Sequence, residues 1–324
     1  MKGGLFIKMK LARLSEMEAL HALLARLPDN HFQRKFLETE IYRQAAGKRG
    51  EKRLRERFKE FDLDAAYEVL WDIRLCLGDW RVQMDGLLLT ERGAIIIESK
   101  NISGKILFNE ETGEFSREDL EGKKTIMEDP TVQLNKHIRF LTKWFKTQKI
   151  NMPLAGIVVF TAKQSEFISK PNHTPICKTY QMPENLLKIW QAFPPEAHST
   201  KLITIKKKLL SLQTPFRRNP LCQQYYLDPN ELLAGVKCSQ CQLLTMERHR
   251  KNWHCTKCGH RDSLAHHLAV QEYFSLVNTH LTNEQFRKFC RVDSPHVASR
   301  LLKQLDLKKT GELKTRSYQL WSGE

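Results

Sequence analysis

Two apolar runs, residues 82–90 (VQMDGLLLT) and 94–100 (AIIIESK), flank the short stretch Glu91-Arg92-Gly93. So tight a turn between strand-like segments predicts an antiparallel hairpin. Glu98 and Lys100 follow directly on Ile95, Ile96 and Ile97, where unpaired charge is costly. Side chains alternate along a strand, so Glu98 and Lys100 share a face and Ser99 takes the other. Pairing across the turn brings Asp85 toward them. Two carboxylates and an ammonium on one face suit a hard divalent cation, Mg2+ or Mn2+, and a phosphate under attack. The competing reading is a structural salt-bridge cluster, although buried ion pairs rarely offset their desolvation.

Around this hairpin the chain reads as α/β with a mixed sheet. Helical spacing covers residues 11–27 and 31–46, Gly47 to Gly50 interrupts it, and residues 51–61 resume it with Leu54, Phe58 and Phe61 on one face. Strands are expected at residues 67–75, 82–90, 94–100, 105–108 and 154–161, with a helix over 130–149. Prolines are frequent after Thr161, helices fit 184–193 and 203–212, and residues 215–220 (PFRRNP) read as a linker.

The motifs then resemble a known family. Residues 40–165 are similar to the nuclease-related domain, a member of the PD-(D/E)xK endonuclease-like group. The resemblance is carried by GKRGE at 47–51, IIIESKNISGKI at 95–106, DPTVQ at 129–133 and GIVVFT at 156–161. It implies a restriction-endonuclease-like mixed sheet flanked by helices. Asp85 and Glu98 become ligands of Mg2+ or Mn2+, Lys100 the catalytic lysine, Glu51 an additional acidic ligand and Gln133 a polar group lining the site. Asp129 stands where the family has asparagine, and Gly86 where it has histidine. Glu51 serves equally as a solvated residue near a helix start, and Gln133 as a backbone cap.

Cys238-Ser-Gln-Cys241 and Cys255-Thr-Lys-Cys258 have the spacing of a structural Zn2+ site, each pair offering two thiolates from a tight turn. Gly259 suits the positive dihedral at the end of such a turn. Four cysteines complete a tetrahedron, so His249, His254 and His260 are read as surface or supporting residues. The remaining cysteines, Cys76, Cys177, Cys222 and Cys290, read as buried apolar residues of a reducing compartment.

Residues 263–321 resemble a winged helix-turn-helix domain, an α+β unit, through TNEQFRKFC, SPHVASRLLKQL and the closing RSYQL. The resemblance places Ser294, His296, Ser299, Arg300 and Lys303 toward nucleic acid and Lys308, Lys309, Lys314 and Arg316 near phosphates. A protein-interaction module is the competing reading. The expected organisation is an N-terminal helical segment (1–39), the nuclease-related domain (40–165), a helical extension and linker (166–235), the zinc ribbon (236–262) and the winged helix (263–321).

The 53 Lys and Arg against 37 Asp and Glu give a formal charge of +16, which attracts polyanions. At 41% hydrophobic and 28% charged residues, the composition argues against wholesale disorder, and no apolar run is long enough to span a bilayer. The start of the chain has no secretory pattern. The expectation is therefore a cytoplasmic nuclease with nucleic acid, above all duplex DNA, as partner, and no membrane or small-molecule cofactor. Duplex is favoured over RNA or single strands because aromatics are not interleaved with the basic residues. The alternative is a non-catalytic DNA-binding or regulatory protein with an inactive nuclease-like scaffold.

Overall fold

The structure, a computed structural model, describes residues 11–195, 201–213, 218–312 and 315–321. Residues 215–217 of the expected linker, and Lys314, lie outside them. Two compact units emerge, residues 45–216 and residues 1–44 together with 217–324. Helix α1 (Glu16–Arg26) belongs to the second unit, and the division falls within α2 (Arg34–Phe58). Among the described residues, no helix is long and apolar enough to cross a membrane.

Helix α2 runs straight through Gly47 to Gly50, where the sequence predicts a break. The reason is tertiary. Gly50 is buried, and a Cβ on it would lie 3.0 Å from Asn101 Cβ and closer still to the Thr161 hydroxyl. A missing side chain lets the helix lie against those residues, and this outweighs a propensity penalty of about 1 kcal/mol.

The unit of residues 45–216 contains β1 (Tyr67–Leu77), β2 (Trp80–Thr90), β3 (Ala94–Lys100), β4 (Gly104–Asn109), β5 (Glu114–Glu118), β6 (Lys124–Met127), α3 (Pro130–Thr147), β7 (Leu154–Phe160), β8 (Ser165–Phe167), β9 (Ile176–Lys178), α4 (Met182–Ala192) and α5 (Leu202–Ser211). Its main sheet has the order β1-β2-β3-β7-β9, antiparallel from β1 to β3 and parallel from β3 to β9. A second sheet runs β6-β5-β4-β8. Both faces of the main sheet are covered, which is why β3 and β7 read as unbroken apolar runs. Ile96 and Val158 join one core with Leu134, Phe140 and Trp144 of α3 and Ile205 and Leu209 of α5. Ile95, Ile97 and Val159 join the other with Leu54 and Phe58 of α2 and Met182 and Leu186 of α4. Gly156 of β7 is what allows Leu134 to seat α3 against the sheet, since a Cβ there would lie 2.9 Å from Leu134 Cγ.

In the other unit the chain continues through α6 (Leu221–Gln224), β10 (Met246–His249), β11 (Asn252–Cys255), β12 (Arg261–Asp262), α7 (His266–Leu276), β13 (Leu281–Thr282), α8 (Asn283–Cys290), α9 (Pro295–Gln304), β14 (Lys308–Thr310) and β15 (Ser317–Gln319). Strands β10-β11-β12 form one small sheet and β13-β15-β14 another. Reciprocal side-chain caps from Thr282 and Gln285 start α8, and Ser294 with Pro295 starts α9. Arg26 of α1, 1% exposed, ties this unit together. It donates to Glu272 at 2.9 and 2.5 Å, to Leu233 O at 2.8 Å and to Gly235 O at 3.0 Å, so its buried charge is paired and most of its donors are used.

Candidate functional site

The carboxyl end of β3 gathers the charged residues. Glu98 shares the parity of Ile96 and therefore projects toward α3, where it is 2% exposed. Lys100 projects to the same side. Its Nζ donates to Glu98 Oε1 at 3.1 Å and to Gln133 Oε1 at 2.7 Å. Gln133 is placed by the start of α3, whose cap Asp129 accepts the Thr131 N–H at 2.7 Å. One turn further on, buried His137 brings Nδ1 to 3.4 Å from Glu98 Oε2. Neither of those two atoms makes a hydrogen bond. A buried carboxylate oxygen without a donor is the kind of atom that a cation or a proton completes.

Asp85 reaches the same place by an irregularity. The β1–β2 ladder pairs Trp71 with Gly86 and Ile73 with Met84 but skips Asp72 and Asp85, and Asp72 adopts a φ of 48°. Freed from the ladder, Asp85 Oδ2 accepts the Ser99 N–H at 2.8 Å and the Ser99 hydroxyl at 2.7 Å. Burial and then the charge of Glu98 raise the Asp85 pKa above the ordinary aspartate value, against the Ser99 hydrogen bonds and Lys100. Burial, followed by the charges of Asp85 and Asp72, likewise raises that of Glu51 on α2. Mutual repulsion among half-buried carboxylates is what a bound cation relieves. The donor set is all hard oxygen, which fits Mg2+ or Mn2+ rather than a soft metal. Glu51, Asp85 and Glu98 are nevertheless not drawn as close together as the thiols below, whose ligand atoms all lie within 4.8 Å of one another.

All five expected residues, Glu51, Asp85, Glu98, Lys100 and Gln133, thus lie in one neighbourhood, linked by hydrogen bonds or by direct influence on each other's charge. Sequence reasoning missed Ser99, Asp72 and His137. The helical period pointed to His137, four residues after Gln133. Nothing local pointed to Asp72, whose position depends on the skipped pair.

The four cysteines converge through two matching turns. Gln242 N–H donates to Cys238 O at 2.9 Å, Gly259 N–H donates to Cys255 O at 2.9 Å, and both residues have positive φ, 61° and 73°. Cys238 and Cys258 Sγ are 3.7 Å apart, and Cys241 and Cys255 Sγ 3.6 Å. A tetrahedron with metal–sulfur bonds of about 2.3 Å has edges of about 3.8 Å, so the thiols already stand close to ligand positions. His260 Nε2 instead meets Ser239 Oγ at 3.1 Å, and the rings of His249 and His254 lie 5.5 Å apart outside the thiol group.

On α9, His296, Arg300 and Lys303 are exposed along one face, and Lys308, Lys309 and Arg316 are exposed around β14 and β15. Two expected contact residues are occupied within the fold. Ser294 Oγ accepts the Val297 N–H at 3.4 Å, and Ser299 Oγ accepts from Asn283 Nδ2 at 2.9 Å. Arg248 of β10 is close enough to Arg300 for that charge, after burial, to lower its pKa.

An α/β unit with an acidic-x-Lys centre at the carboxyl edge of a mixed sheet is the class these features define. Residues 46–161 match the family model described as nuclease-related domain, so this part of the chain is a nuclease-related domain. No curated protein and no solved structure matches the chain.

Proposed function

We propose that the protein is a metal-dependent nuclease that hydrolyses phosphodiester bonds in DNA, with Mg2+ or Mn2+ at Asp85 and Glu98 and structural Zn2+ at the four cysteines. The observation that carries this reading is the Lys100 ammonium held between buried Glu98 and Gln133, with Asp85 fixed beside it by Ser99. A bound divalent ion would polarise the phosphate and lower the pKa of a coordinated water. Asp85 and Glu98 would hold that ion, and Glu51 would add charge from α2. Lys100 would stabilise the extra negative charge on the phosphate in the transition state, and Gln133 would keep its ammonium in place. His137, against the far oxygen of Glu98, would fix that carboxylate's orientation.

The reading includes delivery to DNA by the C-terminal region. The element order α7-β13-α8-α9-β14-β15, with sheet order β13-β15-β14, supports a winged helix-turn-helix. In that arrangement α9 enters the major groove with His296, Arg300 and Lys303, while Lys308, Lys309 and Arg316 meet phosphates. The non-catalytic alternative draws on one observation: the Lys100 ammonium already bonds Glu98 Oε1 and Gln133 Oε1 without a ligand. Incubating zinc-loaded protein with plasmid and linear DNA, with and without Mg2+, separates the two. Cleavage that needs Mg2+ and disappears in Lys100→Ala and Asp85→Ala is expected. Salt-dependent binding with no cleavage by the wild type would leave the inactive scaffold.

A further inference from the structure

A cavity of about 590 Å³ opens at the carboxyl edge of the main sheet, between α2, the ends of β7 and β9 and the residues that follow them. Its size is that of a pocket for one small ligand. Five cations line it, Lys52, Arg53, Arg57, Lys163 and Lys178, against the two carboxylates of Glu56 and Glu60. Both carboxylates have partners, Glu56 in Lys59 at 2.8 Å and Glu60 in Arg57 at 2.5 Å. Arg53 is a brace, donating to Thr161 O at 2.8 Å and Asn101 Oδ1 at 2.6 Å. Lys163 and Lys178 form no ion pair among the described residues, which leaves the cavity strongly positive. Tyr180 completes the wall with its side chain largely in solvent, 61% exposed.

The cavity and the centre share the carboxyl edge of the main sheet and are joined through backbone. The Thr161 N–H donates to Lys100 O at 2.8 Å, and Lys100 and Phe160 are register partners. Ligands of open α/β sheets bind outside the carboxyl ends of the strands, which is where this cavity lies. Lysines that track phosphates beside an exposed aromatic that accepts a base face are the elements of single-strand recognition. A base within a duplex offers only its edges, its faces being covered by its neighbours. We therefore infer that this cavity holds an unstacked nucleotide of the substrate strand, its base on Tyr180 and its flanking phosphates on Lys163 and Lys178. The inference rests on the nuclease reading and makes its substrate single-stranded, or unpaired at the point of cutting. Lys178 and Tyr180 are neighbours in the chain, but Lys163 follows β7 and the other cations come from α2, so the linear pattern conceals the combination.

The test uses the full chain, zinc-loaded and without Mg2+, with single strands of DNA or RNA carrying 5-iodouracil. Photo-cross-links are expected at Tyr180, displaced by unmodified single strands and not by duplex of the same sequence. Binding of short single strands is then followed against salt in an Arg300→Ala, Lys303→Ala background, which weakens the competing α9 face. Adding Lys163→Ala and Lys178→Ala should reduce the slope of log K on log salt by about 1.4, two phosphate contacts at about 0.7 each. Tyr180→Ala should weaken binding about tenfold, the loss of one stacked base, and Tyr180→Phe should restore it. Thermal melts confirm that each variant folds. Cross-links confined to other residues, displacement by duplex, or an unchanged slope would each overturn the inference. A wild type that cross-links at Tyr180 yet never cleaves would remove the hydrolytic reading and leave the cavity's role intact. Cleavage without that cross-link would do the reverse.

Discussion

The two metal-type centres of this chain are built in opposite ways. The thiol centre is assembled by two short turns of nearly the same conformation, and its sulfurs stand at 3.6 and 3.7 Å across the site. The carboxylate centre draws Glu51 from α2, Asp85 from β2, Glu98 and Lys100 from β3 and Gln133 from α3. It stays open, with one Glu98 oxygen unpartnered and the pKa values of Asp85 and Glu51 raised. On the proposed reading, the closed centre holds structure and the open one keeps positions for a substrate and a water. The difference teaches that local turns suffice to gather four thiols, while the carboxylates and the lysine are gathered by elements that the whole core fixes.

Removing zinc should have the largest effect. Chelation or Cys255→Ser is expected to unfold the region of β10 to β12, because a structural site of this type contributes on the order of 10 kcal/mol. Zinc release measured together with far-UV circular dichroism checks it, and a ribbon that keeps its structure without metal would break the contrast. Lys100→Ala comes next. Cleavage should fall about 10²–10³-fold, the usual loss for one charge-stabilising group, with Mg2+-dependent rates of the folded variant as the readout.

Gly50→Ala probes the tertiary assembly of the open centre. The added Cβ collides with Thr161 and Asn101, and such overpacking costs about 1–3 kcal/mol. Urea unfolding should register that loss while the thiol centre keeps its zinc. Asp85→Asn should have the smallest effect and the opposite sign. A carboxylate whose folded pKa is raised binds protons more readily in the native state. Asp85 thus stabilises the fold below the ordinary aspartate pKa and loses that contribution as pH rises through its folded value. At neutral pH without divalent metal, Asp85→Asn should raise stability, with a higher melting temperature as the readout. The gain should vanish near pH 3, and Mg2+ should stabilise the wild type but not the variant. A gain over the wild type no larger at pH 7 than at pH 3 would mean that burial and the neighbouring carboxylate do not raise the Asp85 pKa.

By itself, the sequence determined whatever depends on neighbours along the chain. The CxxC pairs, the Glu91-Arg92-Gly93 hairpin and the alternation that puts Glu98 and Lys100 on one face follow from local turn geometry and the two-residue period of a strand. The caps at Asp129, Thr282 and Ser294 are local for the same reason. Strands β5, β6, β8 and β9 escaped notice because they are short, and several are too polar to show a period. Only the tertiary structure decided that α2 continues through Gly50, that Asp72 and Asp85 leave their ladder together, that His137 faces Glu98 and that Tyr180 stands among lysines. Each of these depends on separate elements that the fold brings side by side. Close packing, with its preference for the arrangement that leaves neither void nor clash, chose among local options that the linear pattern left equal.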